Sequence, residues 1–214
     1  MSTLPPSVRL AEVAHIAVPA RFARSILTAI STLMIAALLV SGLPTTAAEA
    51  ADPARKFMQR AANALIAAQR QGTPAAFART IRRYGHVPAI GMDALGSYRT
   101  SLKPNKRRSY YRGLVKFIGR YAAKEGQKYA VARVSFPTPA IRDGRHVMVD
   151  SVVHLRDGSR YDVRWMLVPR GKSFKVRDAQ VLGFWVSPFL TRLFENYISE
   201  NGGRVEALVL ALNR

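Results

Sequence analysis

His146-Val147-Met148-Val149-Asp150-Ser151-Val152-Val153-His154-Leu155, then the turn Arg156-Asp157-Gly158-Ser159, then Arg160-Tyr161-Asp162-Val163-Arg164-Trp165-Met166-Leu167-Val168: this stretch decides the fold. Its apolar residues recur at every second position, the period of a strand with one buried face. Val147, Val149, Ser151, Val153 and Leu155 share one side of the first run, and Tyr161, Val163, Trp165 and Leu167 share one side of the second. Asp150, His154, Asp162 and Arg164 fall on the opposite, wet side. An Asp-Gly turn between two such runs joins antiparallel neighbours. The same signal recurs at Asp143-Gly144, and Arg170-Gly171 marks a further turn. Working outward, Tyr129 to Phe136 and Ser173 to Leu182 also have strand character, so the expectation is a four-stranded antiparallel meander with one apolar face.

Such a face needs a cover, and the helical periodicities on either side supply it. Asp52-Pro53 reads as the N-cap and first residue of a helix carrying Phe57, Ala61, Ala64, Leu65 and Ala68. Gln71-Gly72-Thr73-Pro74 ends that helix and opens another with Phe77, Ile81 and Tyr84. Gly85, Pro88, Gly91 and Gly96 read as breaks that leave a brief helix over Met92 to Tyr98. Lys103 to Lys124 is the clearest helix. Tyr110, Leu114, Phe117 and Tyr121 form one stripe, with Tyr111, Val115 and Ile118 beside it. Arg108, Arg112, Lys116, Arg120 and Lys124 recur every four residues on the opposite arc, a solvated basic face or a surface for an anionic membrane or acidic partner. A helix from about Pro188 to Ser199, the turn Asn201-Gly202-Gly203 and a last apolar helix with Val205, Leu208, Val209 and Leu212 close the chain. The fold class is α+β.

At the front, Arg9, Arg21 and Arg24 precede an apolar run from Ile26 to Leu43, followed by Pro44 and Ala47-Ala48-Glu49-Ala50-Ala51. That order is the pattern of a secretory signal cleaved after Ala50; a retained membrane anchor is the alternative, because the run nearly reaches the ~20 residues that span a bilayer. Either way the remainder is expected outside the cytoplasm. Residues 1–50 are thus expected to be a signal peptide and 51–214 a single domain, large enough to bury roughly 70% of the surface of its unfolded chain. The chain has no cysteine, so packing alone must hold it, without disulfides or zinc thiolates. Of its 33 Lys and Arg and 13 Asp and Glu, 30 and 11 lie beyond Ala50. So cationic a domain seeks anions, which outside the cytoplasm means phospholipid headgroups and acidic partner surfaces.

Bond-making chemistry finds little support. His15 lies in the signal region and His86 in a Gly/Pro-rich turn. His146 and His154 are separated by eight residues of strand, about 27 Å, too far to share a metal. The carboxylates sit at turns and helix ends, with none paired for acid-base work, and no G-x-S-x-G, H-E-x-x-H or Walker loop is present. Asp178 shares strand parity with Phe174 and Val176, so it is expected to turn inward as a salt bridge or a cap on a neighbouring turn, the alternative being a headgroup contact or a catalytic role. Nucleic acid is not expected, because the aromatics Tyr161, Trp165 and Phe174 alternate with apolar neighbours instead of standing on a wet face.

The order of parts resembles the MlaC-type family of periplasmic phospholipid-binding proteins, also called the toluene-tolerance auxiliary component. The residues that carry the resemblance are Leu95-Gly96-Ser97-Tyr98-Arg99, with Tyr98 in a Trp position, Tyr121 closing the long helix, and Phe174, Val176, Asp178 and Gly183, with Phe174 in a Trp position. After that glycine the family has Val-Ser, where this chain has Phe184-Trp185. The resemblance implies a curved sheet that encloses an apolar pocket with the helices, holding acyl chains and leaving the headgroup outside. It implies phospholipid as cargo with no other cofactor, no catalytic residue, and two partners: an inner-membrane lipid-transport ABC complex and an outer-membrane lipoprotein complex. A two-chain lipid has on the order of 30 methylenes at ~0.8 kcal/mol each, so a carrier must cover nearly all of them. The candidate lining is Val149, Val153, Tyr161, Val163, Trp165 and Leu167, closed by Phe184, Trp185, Phe189 and Leu193. Arg108, Arg112, Lys116, Arg120 and Lys124 are the candidate docking face. Phe184-Trp185 keeps a hopanoid or other rigid lipid open as cargo, and the charge keeps open a basic polyanion-binding protein.

Overall fold

The structure, a computed structural model, describes residues 52–214. The expected signal segment and its cleavage point lie outside the described residues. Six helices and six strands follow: α1 Pro53–Gln71, α2 Pro74–Tyr84, α3 Val87–Ala94, α4 Arg107–Gly126, β1 Val131–Ser135, β2 Ile141–Asp143, β3 His146–Leu155, β4 Arg160–Arg170, β5 Ser173–Val181, β6 Phe184–Trp185, α5 Val186–Glu200 and α6 Val205–Asn213. Two 3-10 turns, Gly96–Ser101 and Pro104–Lys106, link α3 to α4.

The sheet is antiparallel in the order β1-β3-β4-β5-β6, and β2 pairs with the same strand as β1, at its other end. The expected strands therefore exist, but the sheet has six strands in place of four. β2 was illegible because all three of its residues are exposed. β6 was hidden because its turn, Leu182-Gly183, opens with a leucine, a residue that does not signal a tight hairpin. β3 and β4 run in the expected register: Val149 opposes Trp165, Ser151 opposes Val163, and Val153 opposes Tyr161.

The helices begin where their caps dictate. Asp52 Oδ1 accepts from the N–H groups of Ala54 and Arg55 at 3.0 and 3.1 Å, and its Oδ2 accepts from Ala140 N–H, tying α1 to the segment before β2. α3 starts five residues earlier than expected, since Pro88 sits in its first turn, where a missing N–H leaves no bond unmade. His86 caps it, its Nδ1 accepting from Ala89 N–H at 3.2 Å. α4 is the central helix. Tyr110 is fully buried and its hydroxyl donates to Gly91 O at 2.7 Å, while burial pushes its phenol far above the ordinary value. Gly113 lets α6 approach closely, because a Cβ there would lie 2.8 Å from Leu212 Cβ. Phe117 meets Phe194 of α5 edge-on at 5.7 Å between centroids. Tyr121 departs from the expected stripe and is 40% exposed. The second half of α4 buries a different face, with Gly119 against α2 and Ala123 packed with Phe77.

Candidate functional site

Directly opposed residues of an antiparallel sheet share a face, so the rows across β3, β4 and β5 define its inner side. One half of that side is filled. Val147, Val149 and Leu167 are buried against Ala54, Phe57, Met58 and Ala61 of α1, and Phe57 stacks at an angle with Phe174 and Tyr84 at 5.9 and 5.6 Å. The other half is lined but incompletely covered. Val153, Tyr161 and Ala179 carry the inward parity yet are only half-buried, beside the buried Leu155 and Val163, while Trp165, opposite Val149, packs against the filled half. Its polar element, Ser151, is buried and satisfied: its hydroxyl donates to Val163 O at 3.1 Å and accepts from Trp165 Nε1–H at 2.9 Å. That bond fixes the indole against the filled half, and nothing in the strand's alternation announced it.

The row Ser151, Val163, Val181, Phe184 runs from this wall to the sheet edge. Exposure climbs along it from 2% at Ser151 to 7% at Val163, 37% at Val181 and 79% at Phe184. Phe184 therefore does not close the wall; it stands in solvent at the rim. Trp185 falls in the row of Arg164 and Gln180, on the other face, and is half-buried. Phe189 is exposed and Leu193 half-buried, one turn apart on α5.

Asp178 does not turn inward. β5 carries a bulge, since Leu167 pairs with Val176 and Met166 with Asp178, leaving Arg177 without a partner residue and reversing parity beyond it. Asp178 Oδ1 instead accepts from Ser187 N–H at 3.1 Å, capping the first turn of α5, and from Ala179 N–H at 2.8 Å. The bulged Arg177 pairs with Asp93 of α3, and Thr191 of α5 donates to Asp93 O at 3.0 Å. One sheet edge, α3 and α5 are thus joined by a polar clasp below the open half.

The family model described as MlaC protein matches residues 54–214. The chain belongs to the MlaC family. Among solved structures, a phospholipid-binding protein from Ralstonia solanacearum, in complex with a phospholipid, is similar at 20% identity with a TM-score of 0.62. The match covers 75% of this chain and 94% of that one, and it establishes a shared fold. No curated protein matches the sequence.

In this MlaC-family chain the Leu95-Gly96-Ser97-Tyr98 element has a mechanical reason. Gly96, at φ +51°, leaves no room for a Cβ, which would meet Glu195 Oε1 at 2.3 Å. That closeness lets Glu195 Oε1 accept from Ser97 N–H at 2.8 Å and from Ser97 Oγ–H at 2.7 Å, and Leu95 is fully buried. The two bonds hold the Glu195 carboxyl below its ordinary value, as the Arg164 guanidinium does for Asp150, with bonds of 2.7 and 2.8 Å. A carboxylate depressed in the folded state stabilises it above the unfolded pKa, and that contribution disappears as pH falls through the folded value. Stability is therefore expected to fall below about pH 4.5, and Glu195→Gln is expected to flatten that acid limb in thermal melts taken from about pH 7 to pH 3. An acid limb unaltered by the substitution would remove Glu195 from this role.

The basic row of α4 is partly committed. Arg112 Nε donates to Asn213 Oδ1 at 3.4 Å, Lys116 Nζ to Asn213 O at 3.5 Å, and Arg120 to Leu212 O at 3.2 Å. These cations meet the carbonyl end of α6, which has no basic residue in its own last turn. Arg108 and Lys124 are exposed at either end of the row. A cleft of about 470 Å³, lined by Arg82, His86, Tyr111, Arg112, Arg170 and Lys175, lies between α2, α3, α4 and the β4–β5 hairpin. Partial desolvation, with Arg133 and Arg160 nearby, pushes the His154 imidazole below its ordinary value, and it lies 3.0 Å from Ser135 Oγ. Among the described residues no His, Cys, Asp and Glu group could hold a metal ion, and no helix is long and apolar enough to cross a membrane.

Proposed function

We propose that this protein is a periplasmic phospholipid carrier that encloses acyl chains between the open half of its sheet and the facing helices and leaves the headgroup outside. The observation that carries the reading is the divided inner face: Val147, Val149 and Leu167 are sealed under α1, with Trp165 packed against them, whereas the apolar Val153, Tyr161 and Ala179 are left half-exposed. Apolar surface withheld from a core is costly unless a ligand covers it, at about 25 cal/mol per Å². Membership of the MlaC family and a shared fold with a phospholipid-binding protein support the same reading. No covalent step is part of it. Loading at an inner-membrane ABC complex and delivery at an outer-membrane lipoprotein complex, or the reverse, is the corresponding cycle, with Arg108 and Lys124 as the uncommitted ends of a docking face.

Lipid extraction and native mass spectrometry of the purified protein are expected to yield stoichiometric phospholipid. Protein that is free of lipid, and that takes none up from vesicles, would end the carrier reading. A rigid hopanoid is disfavoured as cargo because, of the pair that prompted it, Phe184 stands in solvent and Trp185 lies on the other face of the sheet.

A further inference from the structure

The hairpin between β5 and β6 has an unusual tip. Leu182 has φ +51° and is the sole non-glycine residue with positive φ among the described residues. Gly183 follows at φ +84°, so both central residues of a two-residue loop are left-handed, a geometry that Asn-Gly or Asp-Gly adopts without strain. Leucine there is strained and 49% exposed, so local stability gains nothing from its presence. Around it, Val181, Phe184, Val186 and Phe189 are exposed as well, and most of the large exposed apolar side chains among the described residues gather in this one short segment. From Ala179 to Phe194 there is no Asp or Glu, and the one charged residue, Arg192, is exposed a turn beyond Phe189. The patch is continuous with the row that ascends from Ser151 and Val163 in the pocket wall.

We propose that this tip, Leu182 and Phe184 with Phe189 behind them, inserts at the headgroup boundary of an anionic phospholipid bilayer and seats the rim of the pocket on the membrane. Three observations select a bilayer as the occupant: large apolar side chains at an exposed turn, a segment from Ala179 to Phe194 without acidic residues in a strongly cationic chain, and an apolar row from the tip to the wall. In the neighbouring cleft that Leu182 and Gly183 share with Asp150 and Asp162, Asp150 is paired with Arg164. An acyl chain leaving the bilayer along that row stays in contact with Phe184, Val181 and Val163 in turn. The inference rests on the carrier reading, and it adds the site at which lipid enters or leaves.

Flotation of the purified protein with vesicles of phosphatidylglycerol and phosphatidylcholine tests it. Wild type is expected to float, and Leu182→Asn to lower vesicle affinity at least about tenfold while retaining its bound lipid and an equal or higher Tm, since Asn tolerates the left-handed region. Phe184→Ser, read for vesicle binding alone, is expected to act in the same direction. A wild type that carries lipid but ignores vesicles overturns the membrane tip and leaves the carrier intact, as does undiminished flotation of both variants. Flotation abolished by salt yet insensitive to both substitutions would assign the contact to surface cations and overturn the tip as well. Wild type without lipid would strike at the carrier reading itself.

Discussion

Replacing Val153 and Ala179 together by tryptophan is expected to lower the phospholipid recovered from the purified protein at least about tenfold, with Tm changed by less than about 5 °C. Both positions carry the inward parity, Val153 opposite Tyr161 and Ala179 opposite Trp165, and both are half-buried. An indole at each would occupy the space in which acyl chains are proposed to lie. The stability readout separates an open wall from a filled core. Forcing extra volume into a packed interior costs about 1–3 kcal/mol per site, and a domain of this size loses about 2–4 °C per kcal/mol, so a filled core would melt roughly ten degrees lower. A side chain entering open space has no such cost. Unchanged lipid content in the double variant would show that the cargo does not lie against this half of the sheet. A large fall in Tm would show that the half was already occupied by the protein's own side chains.

Some of this architecture was legible in sequence because a single physical rule governs it. β3 and β4 carry an apolar residue or Ser151 at nearly every second position over ten and eleven residues, and their pairing followed from the Asp157-Gly158 turn. Parity counting failed where the backbone adds a residue. The bulge at Arg177 sends Asp178 to the face opposite Val176, and no side-chain pattern marks that insertion. The Asp178 cap on α5 was among the roles expected of it, reached by a different geometry. Pro88 read as a break although it opens a helix, because proline is equally suited to both positions. The apolar side of the sheet was legible, but its division into a sealed and an open half was not. That division depends on where α1 lies, which is a tertiary fact. Phe184 and Trp185, adjacent in sequence and assigned together to the pocket, are separated by the period of the strand itself, one at the rim of the inner face and the other on the outer.

The cationic row of α4 gives the sharpest divergence between a sequence reading and its structural consequence. Reversing Arg112, Lys116 and Arg120 to glutamate was the natural probe of a docking face, since spacing alone shows a basic stripe. In the fold, the three cations meet Leu212 O, Asn213 O and Asn213 Oδ1, the negative end of α6. Asn213 also donates to Ser109 O at 3.1 Å and to Val209 O at 2.8 Å, so the same residue locks α6 on α4. The triple reversal places carboxylates against unsatisfied carbonyls and the unfavourable end of a helix dipole, and it is expected to lower Tm by roughly 5–10 °C. The loss should remain largely intact at high salt, because lost hydrogen bonds are not screened while long-range attraction to an acidic surface is. A Tm within about 1 °C of wild type would show that the row is solvated and free to dock. The paired substitutions Arg108→Gln and Lys124→Gln test docking without that complication, since both residues are exposed at the ends of the row. Their Tm is expected to match wild type, so any weakening of binding to a partner or an anionic vesicle would report on the surface alone. The expected consequence is a division of labour along one helix, in which the middle cations, although two of them are exposed, fasten the C-terminal helix and the outer ones are left for the proposed docking face.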